Sequence, residues 1–174
     1  KTYTRAVKQA ILRLKNVTST MLHYGKPATN SHKTTHLDPL ITDAITLSSA
    51  ECKKRNIALS HTPLNTLPPI LADPNQLSQC LLNLILNSIE AIESNGSIQI
   101  QTQCKQENDQ TYIKLSISDS GNGIDDADLA HIFDPFYSKK YGNTGLGLSM
   151  VLQTIDTHNG YINIDSTPNK GTSI

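Results

Sequence analysis

The chain is 174 residues long, 37% hydrophobic and 17% charged, with 15 basic residues against 15 acidic ones. That length suits one ordinary globular domain with a small appendage, large enough to hold a core without disulfides or structural metal. Zero formal net charge and 5% aromatics argue against a nucleic-acid surface, so no nucleic-acid partner is expected.

From the first residues, Tyr3, Val7, Ala10, Leu14, Val17 and Met21 recur in alternating steps of four and three. This heptad seam predicts one amphipathic helix that packs in a bundle, ended by Gly25 and Pro27. Polar residues 28–35 then read as a linker, which divides the chain into 1–27, a linker over 28–37, and a main domain over 38–174.

Asp38-Pro39 has the form of an N-cap followed by proline, predicting a helix to about Lys54 with Leu40, Ile41, Ala44, Ile45 and Leu47 turned inward. Strands are expected at 57–61 and 70–72. Asp73-Pro74 repeats the cap and opens the most apolar helix, about 75–94. Residues 97–103 and 111–118 alternate apolar and polar and predict an antiparallel hairpin. A glycine-rich stretch, a loop to about Thr144, a helix over 146–158 and strands at 161–165 and from Gly171 complete the chain. This mixture predicts an α+β fold, a two-layer α/β sandwich with one mixed sheet and helices on one face, preceded by the amphipathic helix.

Cys52, Cys80 and Cys104 are far apart and form no Cys-x-x-Cys pair, the pattern of reduced cytoplasmic thiols and not of a disulfide framework or zinc site. The most apolar run, 80–92, is broken by Asn83, Asn87, Ser88 and Glu90 and does not read as a membrane span. A start at Lys1 without methionine or signal peptide, and an end inside an extended-looking run, are expected of a piece of a longer protein whose own anchoring is left open.

Three segments carry chemistry. Asn83 and Asn87 lie one helical turn apart on a helix otherwise filled with Leu and Ile, and buried amides without partners are costly, so a polar site facing a ligand or metal is expected there. Asp119-Ser120-Gly121-Asn122-Gly123 follows a strand, and Thr144-Gly145-Leu146-Gly147-Leu148 opens a helix. Taken alone, each Gly-x-Gly is equally well a tight turn.

Together, in this order and spacing, they resemble the ATP-binding catalytic domain of sensor histidine kinases. Asn83 to Ile92 resembles that family's asparagine box, Asp119 to Ile124 its first glycine box, Ile132 to Tyr137 its phenylalanine box, and Thr144 to Leu148 its second glycine box. The resemblance implies the Bergerat fold, shared with DNA gyrase, MutL and a heat-shock chaperone family, and the cofactors ATP and Mg²⁺. By that resemblance Asp119 accepts a hydrogen bond from the exocyclic amine of adenine, which guanine lacks at that position. Gly121 and Gly123 let backbone approach the purine, Ile124 and Leu146 supply apolar walls, and Thr172 reaches adenine through a water. Asn87 is the implied Mg²⁺ ligand. Thr144, Gly145, Gly147 and Leu148 lie where the phosphates meet the helix start, made pliable by Gly142, Gly145 and Gly147. Residues 125–143 correspond to the ATP lid, anchored by Phe133, Pro135 and Phe136, with Lys140 the lysine that closes over the phosphates.

Two departures from the family pattern stand out. Glu90 occupies a position where many relatives carry Lys, as in the nitrogen-regulation subgroup that the chain also resembles, and Asn143 stands where many carry Gly. Asn83 replaces the Glu that activates water in gyrase and the chaperone. An amide cannot take a proton from water, so Asn83 at most orients phosphate or metal-bound water, and transfer to another acceptor is expected over hydrolysis. No His sits in a motif of His followed by Glu or Asp. The acceptor is therefore expected on a dimerisation domain of the same protein, of which 1–27 is the second hairpin helix. The implied function is an ATP-binding protein-histidine kinase domain, with a response regulator receiver domain as further partner and a homodimer in the whole protein. The alternatives are an ATPase of the gyrase and chaperone type and a non-catalytic nucleotide-sensing module.

Overall fold

In a computed structural model, residues 31–63, 67–107, 110–140 and 143–174 are described. The seam at 3–21, Gly25, Pro27 and Gly142 lie outside the described residues. The chain runs β1 (Lys33–Thr35), α1 (Leu37–Lys54), β2 (Ala58–Thr62), β3 (Ile70–Ala72), α2 (Pro74–Ala91), β4 (Ser97–Glu107), β5 (Gln110–Asp119), α3 (Asp126–Leu129), α4 (Gly147–Thr157), β6 (Asp165–Thr167) and β7 (Gly171–Ser173).

Helix α2 begins where the cap expectation places it. The Asp73 side chain accepts hydrogen bonds from the amides of Asn75 and Gln76, and Pro74, which has no amide proton to leave unpaired, takes the first turn. Leu77, Cys80, Leu81, Leu84, Ile85, Ser88 and Ile89 then recur at helical spacing and are buried. The start of α1 differs from expectation. His36, in extended conformation, is the residue before the helix, and Asp38 lies inside its first turn, where its Oδ1 is buried without a hydrogen-bond partner. Burial decides this: Leu37 belongs to the inward stripe with Ile41, Ala44, Ser48 and Cys52, and that stripe draws the helix start back past Asp38. Leu47, expected inside, falls off the stripe and is 69% exposed.

Five strands form one sheet in the order β2-β4-β5-β7-β6. Only β2 and β4 run parallel; the long β4–β5 hairpin and the other pairs are antiparallel, so the sheet is mixed as expected. Ile98 and Ile100 of β4 and Ile117 of β5 share one face of the sheet, and they join α1, α2 and Val151 of α4 in a single core. Helix α2 lies at its centre, touching α1, α4, β4 and β5. Its fully buried Ile85 contributes about 1.5–3 kcal/mol through burial alone.

Two expectations at the margins are corrected. Lys33–Thr35, read as linker because it lacks apolar alternation, is a strand paired antiparallel with β3, and the Thr35 hydroxyl contacts the Ala72 carbonyl at 3.1 Å. The strand expected at 161–165 lies at Asp165–Thr167 instead. A tight turn with Asn169 at φ 60° and Gly171 at φ 105° pairs Thr167 with Gly171, and this register admits only three residue pairs. The alternation at 161–164 is real but unladdered, with Ile162 packing on the core's edge.

The ends of the helices are tied across the core by His158. Its Nε2 accepts from the amide of Asp73 at 3.0 Å while its Nδ1 donates to the Thr154 carbonyl at 2.7 Å, a pattern open only to the neutral ring. The start of α2 and the end of α4 therefore share one side chain.

Candidate functional site

The first cluster forms where β5 ends. One carboxylate oxygen of Asp119 accepts the amide of Gly121 at 2.9 Å, which bends the chain out of the strand. The other oxygen has no partner among the described residues and is available as an acceptor. Gly121 is pressed onto the end of α2: a Cβ there would stand 2.7 Å from the Ala91 carbonyl oxygen, and the next amide, of Asn122, donates to that oxygen at 3.0 Å. Gly123, at φ 66°, passes so close to the Thr167 carbonyl that a Cβ would lie 2.1 Å from its oxygen. At both glycines the chain lies close against other backbone, that of Ala91 and of Thr167.

Register sets Thr172 of β7 directly opposite Asp119 of β5, and Ser166 of β6 opposite Thr172. Thr172 is 8% exposed. Its hydroxyl lies 2.8 Å from that of Ser166, which also accepts the amide of Ile124 at 2.9 Å and contacts the Gly171 carbonyl at 3.1 Å. Asp119, Ser166 and Thr172 line a concavity of about 260 Å³ that also includes Lys170. Ser166 was not visible as a site residue in the sequence: a lone serine between Asp165 and Thr167 carries no pattern, and its role comes from pairing across the sheet.

The second cluster lies along α2. Asn83 and Asn87 both face Gly147, the first residue of α4: a Cβ there would be 3.9 Å from the amide of each. Asn83 donates to the Gly147 carbonyl at 3.4 Å and accepts from Gln79 at 3.2 Å, so both ends of its amide are used. The amide of Asn87 has no partner among the described residues and is half-buried. Its Nδ2 is the atom nearest the start of α4, 3.9 Å from where a Gly147 Cβ would stand, while its Oδ1 accepts from no described residue; the first-turn amides of α4 have no intrahelical acceptors. Leu146, 1% exposed, packs beneath that start, and its amide approaches the Thr144 hydroxyl at 3.4 Å. Leu148 is half-buried on the same turn.

One turn beyond Asn87, Glu90 gathers the lid. Its Oε2 accepts from the Asn143 amide at 2.7 Å and lies 3.5 Å from Lys140 Nζ. The two departures from the family pattern, Glu90 and Asn143, are thus partners of each other. Lys139 turns away and pairs with Asp128. That ammonium, together with the Tyr137 hydroxyl at 2.8 Å, holds the Asp128 carboxyl below the usual carboxylate range, and the same contacts raise Lys139 and Tyr137. Of the two lysines, Lys140 is the one brought beside α2.

The lid's anchors differ from those expected. Phe136 is 68% exposed and Pro135 is exposed, leaving only Phe133 half-buried. The anchoring is done by Ile132, 8% exposed, by Tyr137 on Asp128, and by the backbone of Phe136, whose amide donates to the Gly145 carbonyl at 3.0 Å. Phe136 and Gly145 both have positive φ, and a Cβ on Gly145 would lie 2.4 Å from the Phe136 carbonyl carbon. The two segments meet backbone to backbone, which leaves the Phe136 ring outside.

The structure therefore assembles two stations, a carboxylate and hydroxyl cluster at Asp119 and Thr172, whose strand leads to Gly121 at the end of α2, and an amide cluster at Asn87 and Gly147 between α2 and α4, with the lid tied to Glu90 of α2 and to Gly145 just before α4. Among the described residues no group of three or more His, Cys, Asp or Glu side chains is arranged to hold a metal ion. The Asn87 amide oxygen, which accepts from no described residue, is a group that could take one place in an octahedral oxygen shell.

A family described as histidine kinase-, DNA gyrase B-, and HSP90-like ATPase matches residues 72–174. The chain is 38% identical over 159 residues to the sensor histidine kinase ZraS of Salmonella typhimurium, covering 91% of this chain and 34% of that one. It thus spans about a third of the length of the ZraS relatives it matches. Among solved structures, the nucleotide-free catalytic domain of histidine kinase ThkA superposes with a TM-score of 0.71 at 29% identity, over 82% of this chain and 91% of that domain. Histidine kinase ThkA in complex with response regulator protein TrrA superposes with a TM-score of 0.77 at 26% identity, over 99% of this chain and 49% of that one.

Proposed function

Because this chain belongs to the histidine kinase-, DNA gyrase B- and HSP90-like ATPase family, we propose that it is the ATP-binding unit of a sensor histidine kinase, holding Mg·ATP so that the γ-phosphoryl group passes to a His imidazole on a separate domain. The observation that carries this reading is the pairing of unspent acceptors: the free oxygen of Asp119 at one station and the amide of Asn87 at the other. Asp119 reads the adenine amine, Thr172 reaches the ring through a water, and Ile124 and Leu146 wall the purine. Asn87 is the protein's ligand to Mg²⁺, and Gly145, Gly147 and Leu148 offer backbone to the phosphates at the start of α4. Mg²⁺ when bound neutralises phosphate charge.

Asn83 stands where a hydrolase of this superfamily needs a carboxylate base, and its amide ties α2 to α4 through Gly147. Phosphoryl transfer is served by positioning and charge, which such a site supplies, whereas water activation has no base at this position. Lys140 exchanges Glu90 for phosphate oxygens, a better match for an ammonium than a shared carboxylate. The ATP-binding unit comprises residues 38–174 together with β1, and residues 1–27, outside the described part, are assigned to the dimerisation and phosphoacceptor hairpin on the strength of their heptad spacing alone. The partners of the whole protein are that His domain within a homodimer and the receiver domain of a response regulator. The unit works in the cytoplasm; no described helix is long and apolar enough to cross a membrane.

The test is phosphoryl transfer. With γ-labelled ATP and Mg²⁺, the chain supplied with a separately made hairpin domain should place label on His, acid-labile and alkali-stable. Free phosphate released at the same rate with and without that domain would overturn the reading in favour of hydrolysis.

A further inference from the structure

Glu90 stands in the last turn of α2, where the negative end of the helix opposes a carboxylate, and that turn holds no basic residue to offset it. Both of its partners come from the lid. The Asn143 side-chain amide donates to Glu90 Oε2 at 2.7 Å, and Lys140 Nζ lies 3.5 Å from the same oxygen. These two groups are tied to each other, because the Asn143 backbone amide donates to the Lys140 carbonyl at 3.3 Å. The Lys140 amide in turn donates to the Ser138 hydroxyl at 3.2 Å. Lys140 and Asn143 therefore reach one carboxylate from one folded piece of the lid. Along α2, Asn83, Asn87 and Glu90 follow in steps of four and three, so the carboxylate shares a face with both amides.

The two links are unequal. An ion pair at 3.5 Å between side chains half and a third exposed is weakened by solvent, whereas a 2.7 Å hydrogen bond to a charged oxygen is short and strong. We infer that Glu90 is a positioning residue for phosphoryl transfer: by holding Asn143 it fixes the piece of the lid that carries Lys140 on the Asn87 face of α2. This rests on the nucleotide reading above and gives a role to a carboxylate which that reading leaves only as the partner Lys140 abandons. The ammonium leaves Glu90 for phosphate oxygens while Asn143 stays bound, so the lysine is delivered without the lid first having to find α2. Neither member of the pair serves alone. A glycine at 143 offers no side-chain amide, and a lysine at 90 would repel Lys140. Glu90 acts through Asn143 and Lys140.

Two readouts test the link, the first without nucleotide. Trypsin cleaves after Lys139 and Lys140, so the rate at which fragments ending there appear in mass spectra reports how firmly this piece is held. Glu90→Ala and Asn143→Ala should each raise that rate about fivefold, the scale of one hydrogen bond, and the double variant should raise it no further. Glu90→Gln keeps an oxygen for Asn143 and should cleave close to the wild-type rate. Calorimetric titration with Mg·ATP reads the consequence. Glu90→Ala and Asn143→Ala should each weaken binding about fivefold, again without adding, and Lys140→Ala should cost little more in either background. Glu90→Gln should bind at least as well as wild type, because the lysine stays placed and no longer has a carboxylate to leave. That rescue, and the dependence on Asn143, are not produced by a general loosening of α2. Asn143 is exposed, so its variants give the comparison even where Glu90→Ala fails to fold. Additive effects of the two alanine variants, Glu90→Gln as weak as Glu90→Ala, or faster cleavage with unchanged ATP affinity each overturn the inference and leave the nucleotide site standing. A wild-type chain that binds no Mg·ATP overturns the nucleotide reading itself.

Discussion

Replacing Asp119 by Asn exchanges one oxygen for an NH₂ group and changes almost no volume, which makes it a sharp probe of the base site. The oxygen that accepts the Gly121 amide survives in the amide side chain, so the turn out of β5 should persist and stability should move little. The second oxygen becomes an NH₂ group. Where the carboxylate accepted from the adenine amine, two donors now face each other. The loss is one hydrogen bond to a charged acceptor, about 1.5–3 kcal/mol, or roughly 10- to 100-fold in affinity. Isothermal titration of ATP into wild type and Asp119→Asn at matched salt reads this directly, with urea melts of both proteins as the control for folding. Inosine triphosphate, whose 6-oxo group can accept from the new NH₂, should lose far less affinity than ATP, or gain. Equal ATP affinity in the two proteins would refute the assignment of Asp119 to the amine.

Asn87→Ala should leave metal-free ATP binding nearly intact and remove most of the affinity that Mg²⁺ adds, as titrations with and without the ion will read. Mg²⁺ alone should bind to neither protein, since among the described residues no cluster of ligands awaits it. Gly171→Ala should cost about 3 kcal/mol in a urea melt, because φ of 105° is closed to alanine and the new methyl would meet the Asp119 carbonyl oxygen. The thiols should separate in native labelling: Cys104, exposed, reacts at once, while Cys80, whose pKa burial pushes up to about 12, reacts only on unfolding. The linkage has a definite sign. The unfolded Cys80 ionises in the ordinary thiol range and the folded one only near about 12, so its contribution lowers stability as pH rises from that range toward 12.

The sheet, the helix layer and α2 with its cap were legible because each rests on a local signal: alternation in β4 and β5, apolar spacing along α2, Asp73 before Pro74. The same cap pattern misplaced the start of α1, where an apolar residue two positions earlier had a core to enter and Asp38 did not compete with it. Strands β1 and β6 carry no local signal. The first exists because β3 offers it a partner, and the register of the second is set by the turn at Asn169 and Gly171. The site divides in the same way. Asp119, Asn87 and the glycines announce themselves by residue type and spacing, whereas the Phe136 ring was expected inside and lies outside because its backbone, not its side chain, meets Gly145. Ser166 and the Glu90–Asn143 pair emerge only when distant segments are brought together, over 53 positions of sequence in the latter case.

A crystal structure of the chain with Mg²⁺ and a non-hydrolysable ATP analogue tests the central claim most directly. The base should lie against Asp119 with its amine on the free carboxylate oxygen, and the triphosphate should run between Asn87 and the start of α4, with Lys140 moved from Glu90 to the phosphates. A base seated elsewhere, or a metal ion bound without contact to Asn87, would contradict it.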